Sequence, residues 1–244
     1  MSLGSREGGS TEGDAFLTFT ALRRLLRKAR EVGPFYTLTL SVRRVLPARF
    51  LYIGRMILLE MRPYREGTAE ETRDGIRWAS GSDSELLTAF GHSRELVQRR
   101  LSAGDSVCIF TEAERLLGYV WFHGVQHEDE GLGVRFHLAP EEIWLFDAMI
   151  AADRRGHGLY PRLLRAAAEG LWNRGLSRIL IAVDASNKNS VRAHLAAGAC
   201  PAGSIRILRL CGLTCVYGDA AFRVAWTGAT GWLQLSTDFL TAKA

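Results

Sequence analysis

Six consecutive residues, Arg155-Gly156-His157-Gly158-Leu159-Tyr160, carry the clearest chemical signal in this chain. They follow an apolar run, Ile143–Ile150, and open a segment with helical spacing. Glycines at 156 and 158 let main-chain N–H groups approach a ligand with no Cβ in between. The start of a helix adds unpaired N–H donors and the positive end of its dipole. Such an arrangement favours an anion, and a pyrophosphate suits it. Arg155 adds a positive charge. Two carboxylates stand just upstream. Asp147 interrupts the apolar run, where an acid needs either a structural hydrogen bond or a chemical task. Glu142 opens the run and, by simple alternation, shares a face with Ile150; it reads as a proton acceptor or as a solvated strand end.

The elements that must position these groups follow from periodicity. Ile76–Ala79 reads as a short strand, followed by helices from Ser82 to Phe90 and from Ser93 to Ala103, the second capped by Ser93. Ser106–Thr111 and Leu116–His123 form a hairpin, and Gln126–Leu132 reads as a polar loop. Val134–Leu138 adds a strand before Ile143–Ile150. A helix from Tyr160 to about Arg174, a strand Leu176–Val183 and a helix capped by Ser186 or Asn187 come next. Strands near Ser204–Arg209, Leu213–Tyr217 and Phe222–Trp226 complete the order. The expected class is α/β (α+β): a mixed, mostly antiparallel twisted sheet with helices on both faces.

At 244 residues, with 47% hydrophobic and 23% charged residues, the composition is that of a soluble globular protein. No apolar run approaches the length needed to span a bilayer, and no signal peptide is evident, so a cytoplasmic location is expected. Cys108, Cys200, Cys211 and Cys215 suit a reducing compartment, with Cys108 and Cys200 read as buried thiols. The Cys211/Cys215 pair lacks a second Cys/His pair, so no metal is expected. The formal charge of +5 is uneven: Ala21–Arg65 carries eleven basic residues against Glu31 and Glu60. Residues 1–14 read as a disordered lead and 15–73 as a basic helix followed by an extended arm that includes Tyr36–Val42 and Leu51–Met61. Phe19, Leu22, Leu25, Leu26, Ala29 and Val32 lie on one face of that helix. It can pack on the main domain, lie on an anionic membrane at the inner face, or dock an acidic carrier protein through residues 19–65. Nucleic acid is not expected, because the aromatics are not interleaved with the arginines.

The element order and the loop at 155–160 together resemble the GNAT superfamily of acyl-CoA-dependent N-acetyltransferases. Their pyrophosphate loop reads (Arg/Gln)-x-x-Gly-x-(Gly/Ala); this chain keeps Arg155 and Gly158 and places Tyr160 at the small position. A second segment, Asn187-x-x-Ser190-x-x-x-His194-x-x-x-Gly198-Ala199, is similar to the family's Asn-x-x-(Ala/Ser)-x-x-x-Tyr-x-x-x-Gly-Phe helix. His194 replaces its tyrosine and Ala199 its phenylalanine. The resemblance implies a domain over residues 74–244 that moves the acetyl group of acetyl-CoA to a primary amine by direct attack in a ternary complex. It implies cofactor contacts from Met149, Ile150, Arg155, Gly156, His157, Gly158, Leu159, Tyr160, Asn187 and Ser190.

Such a reaction needs a base for the amine and an acid for the departing thiolate. Glu142 is the first candidate base and Asp147 the second, while His123 and His137 are further strand-end histidines. His194 is the candidate acid, its ordinary pKa lying near neutrality; water or Tyr160 are the alternatives. A longer acyl-CoA or acyl-carrier donor, or a non-catalytic CoA-binding module attached through the arm, are the competing functions. Acceptor specificity is expected in Gly91–Arg100, Gln126–Leu132 and the C-terminal strands. The tail from Trp226 to Phe239 is a candidate homodimer contact.

Overall fold

Period-two burial turns the β-branched and aromatic runs of this sequence into strands, and two helical segments with one apolar face each cover one side of them. The computed structural model describes residues 51–62, 75–129, 133–219, 222–228 and 231–237. The chain divides into two units, Met1–Pro47 and Ala48–Ala244, and the described residues all belong to the second. The expected amphipathic helix, the run Tyr36–Val42 and the connection Pro63–Asp74 lie outside the described residues.

In chain order the elements are β1 (Leu51–Met61), β2 (Ile76–Trp78), α1 (Ser84–Ala89), α2 (Arg94–Ser102), β3 (Ser106–Glu112) and β4 (Arg115–His123). Then come β5 (Gln126–Asp129), β6 (Val134–His137), β7 (Glu142–Ile150), α3 (Leu159–Trp172), β8 (Arg178–Asp184) and α4 (Lys188–Ala196). β9 (Cys200–Leu210), β10 (Leu213–Gly218), β11 (Phe222–Trp226) and β12 (Leu233–Ser236) follow. Nine strands form one sheet in the order β11-β10-β9-β1-β8-β7-β4-β3-β2, and β12-β6-β5 form a second. In the large sheet β7–β8 is the parallel pair and the others are antiparallel. The expected mixed, mostly antiparallel sheet is what the chain forms.

The boundary expected near residue 74 is corrected by β1. Leu51–Met61 is not part of an arm: it lies between β8 and β9, antiparallel to both. The β8–α4–β9 crossover leaves a gap one strand wide, and β1 fills it. Its side chains serve both faces, with Leu59 and Met61 in the core under α3 and Tyr52, Met56 and Leu58 in the core on the other side. The polar loop expected at 126–132 contains β5, and the tail contains β12, whose Leu233 and Leu235 are buried against β6 and Trp144. Cys108 is buried as expected, whereas Cys200 is exposed at the start of β9.

α3 presents Leu163, Leu164, Ala167, Ala168 and Leu171 to the sheet, a spacing that makes one helical face. α1 and α2 cover the opposite face through Leu87 and Val97 against Tyr119 and Trp121.

The strand that matters most for the site is β7. Phe122 stands opposite Leu145 and Trp121 opposite Asp147, so Phe146 is an extra residue, a bulge. Its pairing with β8 also ends at Leu145–Ile181. From Phe146 to Ile150, β7 keeps β4 on one side and has no strand on the other among the described residues. The sheet is therefore forked at Phe146.

Candidate functional site

The loop after β7 has the geometry its glycines suggested. Gly156 and Gly158 adopt φ of +83° and +71°, the left-handed region that L side chains rarely enter. A Cβ at either position would project into open space, so the room beside this backbone is free for a ligand. Gly158 is the N-cap of α3, and no side chain caps that end. Leu159 and Tyr160 therefore carry N–H groups without helical acceptors, and Pro161 has none to satisfy. The first helical bond runs from Arg162 N to Gly158 O at 3.3 Å. The Arg155 side chain turns back along the strand, its Nε donating to Ile150 O at 3.1 Å.

These groups open onto a cleft of about 750 Å³. Met149, Ile150, Arg155, Gly156, Gly158, Leu159 and Tyr160 line it from the strand, the loop and α3, and Asn187, Ser190 and His194 from α4. The cleft thus gathers nine of the ten expected cofactor contacts and the expected acid. His157 is not among its lining residues and is exposed. Ala148, Arg154, Pro161, Asn189 and Ala193 also line it, and sequence reading had not singled them out. The signal that could have found them is adjacency to residues already named: Ala148 beside Met149, Arg154 and Pro161 flanking the loop, and Asn189 and Ala193 beside Ser190 and His194. Asn187 acts locally as the N-cap of α4, its Oδ1 accepting from Ser190 N at 3.1 Å.

His194 is buried, and burial pushes its imidazole down to about 4. The expected acid near pH 6.5 is therefore corrected: at neutral pH this ring is uncharged. Its Nδ1 lies 2.8 Å from Tyr160 Oη, and the two rings meet edge to face at 5.2 Å. Burial also raises the Tyr160 phenol above its ordinary range, so its proton stays in place. At neutral pH the pair is therefore an uncharged imidazole bonded to a protonated phenol.

Neither expected base occupies the cleft. Glu142 is buried at the far end of β7, about 26 Å from Ile150 at the rise of a strand. Its carboxylate accepts from Arg178 at 2.7 Å, Thr237 at 2.6 Å and Ala139 N at 2.9 Å. The face parity expected for it fails because the Phe146 bulge inverts the alternation: Ile143 and Leu145 face α3 before it, Ala148 and Ile150 after it. Asp147 faces the α1–α2 side, where it pairs with Arg100 at 2.8 Å and accepts from Tyr119 at 3.4 Å. Its carboxylate is engaged in structure. On that same side His123 pairs through Nδ1 with Asp105, and His137 is an exposed partner of Gln234. Among the described residues no cluster of His, Cys, Asp and Glu could hold a metal ion, and no helix is long and apolar enough to cross a membrane.

Similar folds occur in solved structures. A GNAT-family structure from Novosphingobium aromaticivorans DSM 12444 shares 16% identity, over 64% of this chain and 63% of that one, at a TM-score of 0.46. An acetyltransferase of the GNAT family from Colwellia psychrerythraea shares 13%, over 65% and 55%, also at 0.46. The aminoglycoside N-acetyltransferase AAC(6')-Iy, solved in complex with CoA, shares 16%, over 50% and 89%, at 0.41. This chain spans less than two thirds of the length of the first two. No curated protein matches it. The family model described as the acetyltransferase (GNAT) family matches residues 74–199. That stretch contains the Gly loop, the forked strands and both helices of the cleft, and it takes in just over half of the sequence: the chain belongs to the acetyltransferase (GNAT) family.

Proposed function

We propose that this protein is an N-acetyltransferase that passes the acetyl group of acetyl-CoA to a primary amine by direct attack in a ternary complex. The observation that carries the reading is the uncapped start of α3, which opens with two left-handed glycines onto a cleft bounded by the unpaired edge of β7. The free N–H groups of Leu159 and Tyr160, with Gly158 beside them, suit the cosubstrate's pyrophosphate. The main chain of Ala148 and the Ile150 N–H, which no described strand pairs on the β8 side, suit the amides of a pantetheine arm, while Ile150 O is held by Arg155. The thioester supplies an activated acyl carbon. As the amine nitrogen bonds to that carbon the carbon–sulfur bond breaks; the amine gives up one proton and the departing sulfur takes one.

Tyr160 is the proposed donor of that second proton, and the proton released by the amine passes through water to restore its hydroxyl. His194 carries its proton on Nδ1 and donates it to Tyr160 Oη, which leaves the phenolic hydrogen free to face the sulfur. The chain thereby provides a hydroxyl from the loop side of the cleft, whereas the residue on α4 is a histidine.

Titration calorimetry with acetyl-CoA, CoA and octanoyl-CoA tests the reading. Acetyl-CoA and CoA are expected to bind, with octanoyl-CoA at least tenfold weaker. Gly158→Val, which introduces a side chain into the cradle at a left-handed φ, is expected to lose at least tenfold in affinity while keeping its circular dichroism. Absence of acetyl-CoA binding at millimolar concentration rejects the reading; tighter binding of octanoyl-CoA replaces it with a longer-chain acyltransferase.

A further inference from the structure

A second cavity, of about 450 Å³, lies on the opposite side of β7 from the cleft. α2 contributes Leu96, Arg99 and Arg100, the loop after it Asp105, β4 His123, and β7 Phe146. Phe146 is the bulge at which β7 and β8 part, two residues, or about 7 Å of strand, from Ala148 in the cleft. The two cavities therefore address one strand from opposite faces at the fork.

His123 has the arrangement of a base. Asp105 holds its Nδ1, so in the neutral ring Nδ1 keeps the proton and Nε2 carries the lone pair. Nε2 has no hydrogen-bond partner among the described residues. The facing charged groups are Arg99 and Arg100 on α2, Asp105 after it, His127 and Glu128 on β5. The bond to Asp105 raises the His123 pKa above its ordinary value, while burial pushes His127 down to about 4 and leaves it neutral.

Charge then sorts the ligand. Asp105 is paired with His123, Glu128 with Arg135 at 2.6 Å, and Arg100 with Asp147 at 2.8 Å. Arg99 lines the cavity with no ion-pair partner among the described residues. The wall that His127 and Phe146 provide is aromatic, their rings 6.0 Å apart.

We propose that this cavity holds the acceptor, a small amine that also bears a carboxylate or phosphate, with Arg99 binding the acidic group and His123 taking the proton from the ammonium. The inference rests on the acetyltransferase reading above and adds the substrate class to it. The proton passes from the ammonium to His123 Nε2, and the neutral nitrogen reaches the acyl carbon through the fork at Phe146. Arg99 is the specificity-determining residue, His123 the catalytic one.

The test uses the full chain with acetyl-CoA and thiol-release detection, comparing β-alanine and O-phosphoethanolamine with ethanolamine and putrescine. The acidic amines are expected to show kcat/KM at least tenfold higher, with the larger of the two values telling carboxylate from phosphate. Arg99→Gln is expected to bring the ratio of acidic to neutral amines within threefold of one. His123→Gln is expected to lower kcat and to change the pH profile. In the wild type, kcat/KM rises with pH as His123 loses its proton and then levels off. Without that base only the free amine reacts, so the rate keeps rising towards the amine's own pKa. Equal turnover of neutral or cationic amines, an unchanged ratio in Arg99→Gln, or a profile in His123→Gln that still levels off overturns the proposal. Binding of acetyl-CoA with no turnover of either acidic amine also overturns it and leaves the acetyltransferase reading standing. Failure of acetyl-CoA to bind removes both.

Discussion

Tyr160 and His194 reach each other from neighbouring helices, and their environment decides which of them handles a proton. At pH 7 burial leaves the ring neutral, with one N–H, and keeps the phenol protonated; because the raised pKa holds that proton tightly, its release to sulfur depends on the His194 N–H stabilising the phenolate. Tyr160→Phe keeps the ring and removes the hydroxyl. It is expected to lower kcat at least tenfold with acetyl-CoA affinity within about twofold of wild type, measured by turnover and calorimetry. Unchanged turnover would move thiolate protonation to water. Glu142 makes the opposite case. Glu142→Gln leaves the Arg178 guanidinium partly buried with Glu60 as its one remaining acidic partner among the described residues. A cost of about 3 kcal/mol in urea unfolding is expected, as for breaking a buried ion pair, with kcat unaltered. A large fall in kcat with intact stability would return Glu142 to the mechanism.

At the level of elements, β1 sets the integrity of the fork. It pairs along both edges and buries Leu59 and Met61 beneath α3. Leu59→Ala is expected to cost about 2–5 kcal/mol by the cavity it leaves, read from the shift in urea midpoint. A loss below 1 kcal/mol would mean that the strand is dispensable. Legibility followed the range of the interactions. The Gly loop, the Ser93 cap and the apolar face of α3 are written in neighbouring residues, and the sequence disclosed them. β1 was visible as an extended run, but its partners are more than a hundred residues away and no local signal names them. The Phe146 bulge has the same cause: one extra residue in a run of apolar types leaves periodicity looking regular while inverting every face beyond it. That single residue misdirected the choice of Glu142. The depressed pKa of His194 is a property of packing around it, so its residue type alone suggested the wrong protonation state.

The cleft and the cavity beside His123 meet one strand from opposite faces, and this geometry bears on the order of events. A covalent route would need a nucleophile within reach of both. Cys108 is buried, with its thiol pushed up to about 12, and the other three cysteines line neither cavity. Ser190 lines the cleft, but its main-chain N–H is donated to Asn187 and among the described residues no base bonds its hydroxyl. The proposed reaction accordingly has donor and acceptor present together, with direct transfer at the fork. Initial rates at varied acetyl-CoA and amine are expected to give intersecting reciprocal lines, with no burst of CoA when the amine is omitted. Parallel lines and a stoichiometric burst would instead require an acetylated side chain, and mass spectrometry of the quenched protein would locate it.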